Sequence, residues 1–398
     1  MSRLGCTAPQ LRKGVMSVID FTLSPDHAEL QKMYRKFAEE RVRPLAREMD
    51  EKEEFSMELL QEMQQCGFFG IPFPEEYGGA GGDILSYVLC MEEMSKADAS
   101  TGVTLSVHTS LCAATIQEFG TEEQKQAFLR PLADGRKIGC FGLTEPGAGS
   151  DAAGVRTVAV KDGDDYVITG NKIFTTNSGF ADIFLVFALT DKAAGTKGMS
   201  AFLVEKGAPG LTVTPDIPRM GIRAASNAEV VYEGVRVPAG NLLGGEGKGF
   251  KIAMKALDGG RIGIAAQAVG IAQGAINEAI RYVKERVQFG RPIAAFQNTQ
   301  FKLAEMQTQV DAARLMTWRA AVAKDRGENY SVYAAMAKLT ASDVANNVTR
   351  GCVQLFGGYG YAREYNVERM MRDAKITEIY EGTSEVMKMV ISGSMNLK

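Results

Sequence analysis

The chain has 398 residues, of which 45% are hydrophobic and 23% charged, and its formal net charge is -3. This is the composition of an ordinary globular protein, and it excludes the strongly basic surface with which proteins bind nucleic acid. Nucleic acid is therefore not expected as a partner. No apolar run reaches the roughly 20 residues that span a bilayer, so a membrane is not expected either. A chain of this length should fold as two or three packed units.

Histidine and cysteine offer little material for a metal site. The chain has two histidines and six cysteines, and no CxxC pair occurs. A histidine-rich metal site or a Ser-His-Asp triad has almost nothing to build on, so no metal is expected. We interpret His108 as a hydrogen-bonded core histidine. The cysteines lie mostly among apolar neighbours, which predicts reduced core thiols in a reducing compartment.

The first third of the chain is predicted to be helical. We exclude residues 1–15, which carry three basic residues and no acid and only weakly resemble a transit peptide. Ser24-Pro25-Asp26 combines a cap with an early proline and predicts a helix start. Apolar runs over 84–94 and 105–119 are typical of buried helices, and Thr121 caps another helix. Residues 19–137 are expected to form an N-terminal all-α domain.

The sequence pattern changes after residue 137. From 138 to about 240, β-branched and aromatic residues alternate with polar ones, and glycines separate short apolar runs such as Ile183–Leu189. This spacing predicts a middle domain of antiparallel strands, with bounds 138–240. Helices of roughly 10 to 15 residues do not alternate with these strands, so a doubly wound parallel sheet is not expected.

Helical periodicity returns after Gly249 and continues to the end of the chain. Long helices are expected near 250–287, 296–326, 331–356 and 383–395, with a shorter one near 366–374, because turn residues separate these stretches. Residues 241–398 are expected to form a C-terminal four-helix bundle. The predicted fold class is therefore α+β, with an N-terminal all-α domain, a middle antiparallel β-domain and a C-terminal four-helix bundle.

Two glycine-rich segments resemble nucleotide-binding motifs but lack their context. Gly147-Ala148-Gly149-Ser150-Asp151-Ala152 is not followed by a helix-length amphipathic run, and no βαβ unit surrounds it, which excludes a Rossmann fingerprint. In Gly244–Gly249 a glycine follows Lys248, where a P-loop requires serine or threonine. No nucleoside triphosphate is therefore expected as a ligand.

The stretch Met371–Val386 is the most suggestive of chemistry, with Glu381 at its centre. Gly382 permits a bend, and Thr383 or Ser384 can cap a following helix, so Glu381 projects from a turn rather than along a helix face. Burial among the apolar residues around it would raise its pKa toward the range of a general base. The residues of this stretch alone leave open the alternative of an exposed turn residue.

The run Arg372–Val386 resembles the catalytic segment of the acyl-CoA dehydrogenases, and the resemblance extends from about residue 19 to the end. It implies that Glu381 abstracts the α-proton of an acyl-CoA thioester while the β-hydride passes to N5 of FAD. The backbone N–H of Glu381 and a flavin ribityl hydroxyl would stabilise the charge on the thioester carbonyl. Isovaleryl-type relatives carry their catalytic glutamate at the position that Gly260 occupies here. Because glycine has no side chain, this chain cannot have its base at that position. The close rivals of Glu381 are Glu378 and Glu385.

The same resemblance implies contacts with FAD, which would lie between the β-domain and the bundle. Segment 140–151 would meet the flavin ring with backbone and hydroxyl groups, and segment 174–177 would pack an aromatic ring on it. Many relatives have tryptophan where this chain has Phe174. Arg286 and its neighbours would reach the pyrophosphate and adenine across a subunit interface. The implied FAD contacts are Phe141, Leu143, Thr144, Ser150, Phe174, Thr176, Arg286, Gln288, Phe289, Gln297, Gln354, Gly357, Gly358, Thr383 and Glu385.

Contacts with an acyl-CoA substrate are implied in the same way. Ser150 would lie toward the CoA side, and Tyr380 would line the acyl channel. For Asp258 and Arg261, a structural ion pair between residues i and i+3 is the alternative. The implied substrate contacts are Ser150, Asp258, Arg261, Tyr380 and Gly382.

The segments LDGGRIG, ERVQFGRP and FGGYGYAREY are most similar to the short-chain, butyryl-type branch of this family. We expect FAD-dependent dehydrogenation of a butyryl-CoA-like thioester to the trans-2-enoyl-CoA, with electrons passing to an electron-transferring flavoprotein. The alternatives are a branched short-chain enzyme of isobutyryl or 2-methylbutyryl type, an acyl-CoA oxidase, and a non-catalytic acyl-CoA-binding subunit. The resemblance also implies a homotetramer in the cytoplasm of a bacterium or the mitochondrial matrix of a eukaryote.

Overall fold

The structure is a computed structural model that describes residues 21–397. The basic N-terminal segment, Cys6 and the predicted domain start at residue 19 therefore lie outside the described residues.

The first part of the chain is a series of α-helices, some of which are joined end to end by short π-helical segments. The first helix begins as predicted, since the Ser24 hydroxyl accepts a hydrogen bond from the His27 N–H at 3.2 Å. The helices are α1 (Pro25–Phe37), α2 (Arg43–Lys52), α3 (Met57–Gln65), α4 (Ile84–Ala97), α5 (Ala99–Ser106), α6 (Ala114–Phe119), α7 (Glu122–Gln124) and α8 (Arg130–Ala133).

The middle part of the chain forms one sheet, whose strands are β1 (Gly139–Gly142), β2 (Val158–Asp162), β3 (Asp165–Thr176), β4 (Ile183–Leu189), β5 (Met199–Glu205), β6 (Leu211–Val213), β7 (Asn227–Pro238) and β8 (Leu242–Leu243). Their order across the sheet is β6-β7-β3-β2-β4-β5-β8, and β1 pairs with β4. Most neighbours are antiparallel, as predicted, but β1 and β2 both pair with β4 in parallel. Alternating hydrophobicity identifies strands, whereas the direction of a neighbour depends on the connections between them.

The last part of the chain is helical again, and its long helices agree with the predicted ones to within a few residues. Its elements are α9 (Gly249–Glu285), β9 (Val287–Gln288), β10 (Arg291–Pro292), α10 (Gln297–Asp325), α11 (Ser331–Phe356), α12 (Asn366–Ile376) and α13 (Ser384–Gly393). Helix α9 is the centre of the molecule, and small residues let other helices approach it closely. A Cβ on Gly270 would lie 2.5 Å from the Glu92 carbonyl oxygen on α4, so glycine is required at this crossing.

A buried ionic cluster fastens α12 to both other parts of the chain. The Arg369 guanidinium contacts Asp98 at 2.9 Å and Asp373 at 3.4 Å. Asp373 also accepts a hydrogen bond from the Ile222 N–H at 2.6 Å, and burial raises its pKa to about 7. This cluster fixes the end of the helix from which the segment containing Glu381 departs.

Four of the five described cysteines are buried free thiols, as predicted. Cys66 is the exception, because it is exposed at the C-terminal end of α3, where the last turn of a surface helix faces solvent. The buried thiols are Cys90, Cys112, Cys140 and Cys352.

His108 is a core residue, as predicted. Its Nδ1 accepts a hydrogen bond from the Gly139 N–H at 3.1 Å, and burial lowers its pKa to about 3, so the ring is neutral. Within residues 21–397, no group of three His, Cys, Asp or Glu side chains could hold a metal ion. In the same range, no helix has the length and apolar character needed to cross a membrane.

Candidate active site

Glu381 lies in the turn that connects α12 to α13. The φ angles are 53° at Glu381 and 104° at Gly382, so both residues have left-handed backbone. For a residue with a side chain this conformation is strained, and it persists where surrounding contacts hold it. The following helix is capped by Thr383, whose hydroxyl accepts from the Val386 N–H at 3.3 Å. Thr383, rather than Ser384, is therefore the cap.

The Glu381 carboxylate is buried and has no hydrogen-bond partner among the described residues. Burial raises its pKa to about 8, against the opposing effect of the Lys338 and Arg261 cations. A buried carboxylate without partners is costly, so the site fits a group that approaches it from outside the chain. The alternative hypothesis, that Glu381 is an exposed turn residue, is therefore wrong for its carboxylate.

The two neighbouring acids have different surroundings. Glu378 contacts the Lys375 ammonium at 2.5 Å, and Glu385 is exposed in the first turn of α13. Of the three candidates, only Glu381 offers buried oxygen atoms that nothing in the described chain satisfies.

Two buried cations hold the backbone of the turn. Arg261 Nε donates to the Glu381 carbonyl at 3.3 Å, and Lys338 Nζ donates to the Gly382 carbonyl at 2.6 Å. In contrast, the N–H groups of Glu381 and Gly382 donate to no acceptor within residues 21–397. Unpartnered N–H groups beside a buried carboxylate can bind the oxygen atom of a ligand.

Helix α9 forms one wall around the Glu381 side chain. A Cβ on Gly260 would lie 2.1 Å from Glu381 Oε2, so the absence of a side chain there makes room for the carboxylate. One turn further along, a Cβ on Gly263 would lie 2.6 Å from both the Tyr87 hydroxyl and Ser106 Oγ. The Tyr87 hydroxyl donates to Ser106 Oγ at 3.2 Å. A polar group from α4 therefore closes the space one turn away from the carboxylate.

The predicted substrate residues are distributed around this wall. Arg261 contacts Asp258 at 2.7 Å, which is the ion pair that the sequence offered as an alternative, and Asp258 also accepts from the Ser331 hydroxyl at 2.9 Å. Tyr380 is hydrogen-bonded through its hydroxyl to the Gln267 side chain. Ser150 is exposed, and the structure does not bring it into contact with Glu381.

The loop that follows β1 is fixed by a buried ion pair. Lys172 Nζ contacts Glu145 at 2.7 Å and the Leu143 carbonyl at 3.1 Å, while Glu145 also accepts from the Arg156 and Thr157 N–H groups. Leu143 is buried, Phe141 and Thr144 are partly buried, and the Ile173 N–H donates to the Thr144 carbonyl at 2.9 Å. The two predicted flavin segments are thus joined side by side.

The second segment ends β3 at an irregularity in the sheet. The pairing of β3 with β7 shifts between Lys172 and Thr175, and Phe174 has φ of 56° and is 57% exposed. Thr176 is buried, and its hydroxyl accepts from Asn227 Nδ2 at 3.0 Å. Oxygen atoms of Thr175, Asn177 and Asn227 are buried without a partner in the described chain. An exposed aromatic face beside unsatisfied polar atoms fits a flat heterocycle such as a flavin.

The remaining predicted FAD contacts lie at the opposite end of α9. Arg286 follows the last residue of α9, about 39 Å from Gly260 at 1.5 Å per residue, and its guanidinium is 5.2 Å from the Tyr359 ring centroid. Phe289, at the tip of the β9–β10 hairpin, is 94% exposed. One chain cannot bring this group and Glu381 to the same flavin ring. The group comprises Arg286, Gln288, Phe289, Gln297, Gln354, Gly357 and Gly358.

Sequence reasoning did not identify Lys338, Tyr87 or the Glu145–Lys172 pair. Lys338 carried a signal, because it is the one charged residue in the run Ala334–Ser342, whose apolar pattern predicts a buried helix face. For Tyr87 and the ion pair no local signal exists, because their partners are distant in sequence.

Family models cover most of the chain. The N-terminal, middle and C-terminal domains of acyl-CoA dehydrogenase match residues 24–136, 140–235 and 247–395. A short-chain specific acyl-CoA dehydrogenase of Clostridium acetobutylicum is 57% identical over 377 residues, which is 95% of this chain and 100% of that protein.

Solved structures have the same fold. Butyryl-CoA dehydrogenase from Megasphaera elsdenii is 51% identical with a TM-score of 0.93, over 95% of this chain and 100% of that one. A chain from a structural study of the electron transferring flavoprotein of Acidaminococcus fermentans, directed at flavin-based electron bifurcation, is 52% identical with a TM-score of 0.94. That match covers 96% of this chain and 100% of the other.

Proposed function

The chain belongs to the acyl-CoA dehydrogenase family, and we propose that it converts a butyryl-CoA-like thioester to the trans-2-enoyl-CoA with Glu381 as base. The buried, unpartnered carboxylate of Glu381 is the observation that carries this proposal. Ionised, it accepts the α-proton. The free N–H of Glu381 donates to the thioester oxygen as negative charge develops there, which makes the α-proton more acidic.

Members of this family are flavin-dependent, and we propose that the flavin of this protein is FAD. When bound, the flavin would supply an acceptor for the β-hydride at N5. Phe174 would cover the ring, Thr176 would contact its N5 edge, and the loop after β1 would supply donors to its polar edge. The other FAD contacts would be Phe141, Leu143, Thr144, Ser150 and Thr383, while Glu385 would face the adenosine side.

The distance of about 39 Å along α9 between Gly260 and Arg286 supports an FAD site shared between two subunits. We propose that Arg286, Phe289 and the turn at Gly357–Gly358 contact the pyrophosphate and adenine of a cofactor whose ring lies in a second copy of the chain. A fixed guanidinium is a suitable partner for phosphate oxygens, and the exposed Phe289 ring would be covered in such an assembly. A homotetramer built from two such dimers is the assembly we propose.

A short acyl group suits the space beside Glu381. Gly263 lies about 4.5 Å along α9 from Gly260, and the Tyr87 hydroxyl occupies the space next to it. Pocket depth limits chain length because a methylene that does not fit costs about 1–3 kcal/mol. The geometry does not separate straight from branched short chains, so the isobutyryl-type or 2-methylbutyryl-type enzyme is the second candidate.

We propose an electron-transferring flavoprotein as electron acceptor, since one of the similar solved chains comes from a study of that protein. An oxidase would release peroxide in air without a carrier, and a non-catalytic binding subunit would keep its colour with every acyl-CoA. We propose the bacterial cytoplasm as its location, or the mitochondrial matrix in a eukaryotic host.

Anaerobic titration of the purified protein with butyryl-CoA, followed through the absorbance of oxidised flavin, tests the proposal. We expect bleaching in the wild type and in Glu378→Gln, which removes a neighbouring acid, and at least 100-fold slower bleaching in Glu381→Gln. Equal bleaching in Glu381→Gln would refute the base assignment. Bleaching by isobutyryl-CoA in preference to butyryl-CoA would favour the branched-chain candidate.

A further inference from the structure

Lys338 is a buried cation that no part of the proposed reaction requires as a ligand. Its side chain on α11 is 0% exposed, and its hydrogen bond is donated to the Gly382 carbonyl at 2.6 Å. Within the described chain its ammonium forms no ion pair and no second hydrogen bond. An ammonium has three donors, so burial leaves this one largely unsatisfied, which a purely structural tether does not explain.

The contact acts on the backbone next to the proposed base. Arg261 holds the Glu381 carbonyl, and Lys338 holds the next carbonyl along the chain. Because a planar trans peptide points its C=O and N–H in opposite directions, two successive peptide planes are fixed. Because these two planes flank Gly382, the contacts hold its left-handed φ of 104° and the direction of the chain immediately after Glu381.

On the basis of the proposed function, we propose that Lys338 is a positioning residue. Its ammonium anchors the Gly382 carbonyl and, with Arg261, favours the ionised form of the Glu381 carboxylate and keeps it aimed at the substrate. Nothing about substrate binding requires Lys338 itself to touch the thioester.

The electrostatic surroundings support this assignment. The cations that act on Glu381 are Lys338 from α11 and Arg261 from α9, and both oppose the burial that raises the pKa of the carboxyl to about 8. Arg261 is already paired with Asp258, whereas Lys338 has no paired carboxylate. Other charged or titratable groups nearby are Tyr87 from α4, Tyr380 next in the chain, and Glu378 and Asp343 beyond Lys338. No carboxylate therefore neutralises Lys338 by direct pairing, while burial lowers the pKa of its own ammonium to about 8.

The test uses the flavin-loaded protein with Lys338→Met, Lys338→Gln and Lys338→Arg. The methionine removes charge and hydrogen bond, the glutamine removes the charge but keeps a donor, and the arginine keeps both. The control is Lys324→Met, which removes another partly buried lysine that is absent from the charges acting on Glu381. Flavin content and thermal unfolding establish that each variant is folded. If the longer arginine prevents folding, the methionine and glutamine variants are compared with the wild type and Lys324→Met alone.

Two measurements are made on each variant. Infrared difference spectroscopy during pH titration reports the protonation of Glu381 directly, using the band that Glu381→Gln lacks. The rate of flavin reduction by butyryl-CoA against pH reports the same group in action. Loss of Lys338 charge should raise the pKa of Glu381 by about one unit, since an opposite charge nearby favours the ionised form. The rate below that pKa should fall about tenfold, because each unit changes the ionised fraction tenfold.

The expected pattern is a shift in the methionine and glutamine variants, with the arginine and Lys324→Met variants close to wild type. Reduced thermal stability without a shift in the infrared titration would overturn the proposal and leave Lys338 a structural tether. An equal shift in Lys324→Met would overturn it as well. Failure of the base assignment is distinguishable, because Glu381→Gln would then retain activity whatever the infrared titration of the Lys338 variants shows.

Discussion

The carboxylate of Glu381 and the backbone of Gly260 occupy adjoining space, with only 2.1 Å between Glu381 Oε2 and the position of a Cβ on Gly260. Two residues 121 positions apart thus share one site, and a side chain on Gly260 would exclude the present position of the carboxylate. The position of the proposed base therefore depends on the absence of a side chain at Gly260.

Gly260→Ala should displace the carboxylate and slow flavin reduction by butyryl-CoA at least 100-fold, because small misplacements of a reacting group are costly. The matched control is Gly259→Ala on the same helix, whose Cβ would be 3.0 Å from the flexible end of Lys324. Stopped-flow reduction at saturating substrate measures both. Near wild-type reduction in Gly260→Ala would mean that Glu381 reacts from another position.

The free energy of unfolding of Glu381→Gln, relative to that of the wild type, should increase as pH rises. The folded-state pKa of about 8 exceeds the ordinary value of 4.5, so the folded protein retains this proton between those values. The wild-type stability from this group is complete below pH 4.5 and is lost as pH rises through about 8. In the wild type this loss of stability amounts to about 1.4 kcal/mol for each unit by which the pKa is raised. The glutamine variant has no titrating carboxyl at this position and does not lose this stability.

Urea denaturation at several pH values between those limits measures this difference in the free energy of unfolding. Glu378→Gln, which removes an acid paired with Lys375, should show no comparable growth of the difference with pH. A difference that is constant with pH would contradict the raised pKa.

Chain-length preference should respond to Tyr87. Tyr87→Leu shortens the side chain that closes the space beside Gly263, so kcat/KM for hexanoyl-CoA relative to butyryl-CoA should rise about tenfold. Gly263→Ala should do the reverse, because its Cβ would lie 2.6 Å from the Tyr87 hydroxyl. Steady-state kinetics with an artificial electron acceptor gives both ratios. Unchanged ratios in both variants would show that chain length is limited elsewhere.

The buried Lys172–Glu145 pair should be required for flavin retention. Lys172→Met leaves the Glu145 carboxylate buried without its cation, which costs about 3–5 kcal/mol, and frees the loop that contains Leu143. We expect a lower unfolding temperature and weaker FAD binding, measured by thermal unfolding and by flavin release. The double variant Lys172→Met/Glu145→Gln should recover part of the stability, and no recovery would mean that packing around Lys172 is the larger contribution.

Local sequence patterns were sufficient for much of this protein. Helical and strand periodicities predicted the succession of elements and the bounds of α9, α10 and α11 to within a few residues. The bend at Glu381 followed from Gly382 and a capping residue. These features depend on residues that are close together in the chain, so they can be predicted from the local sequence.

Tertiary structure alone decided what surrounds the bend. Arg261 and Lys338 reach its two carbonyls from 120 and 44 residues away, and Gly260 makes room for the carboxylate. The parallel pairing of β1 and β2 with β4 and the exposure of Cys66 were also not contained in local patterns. The pKa of Glu381 depends on burial and on distant cations, because desolvation and Coulomb interactions act through space rather than along the chain.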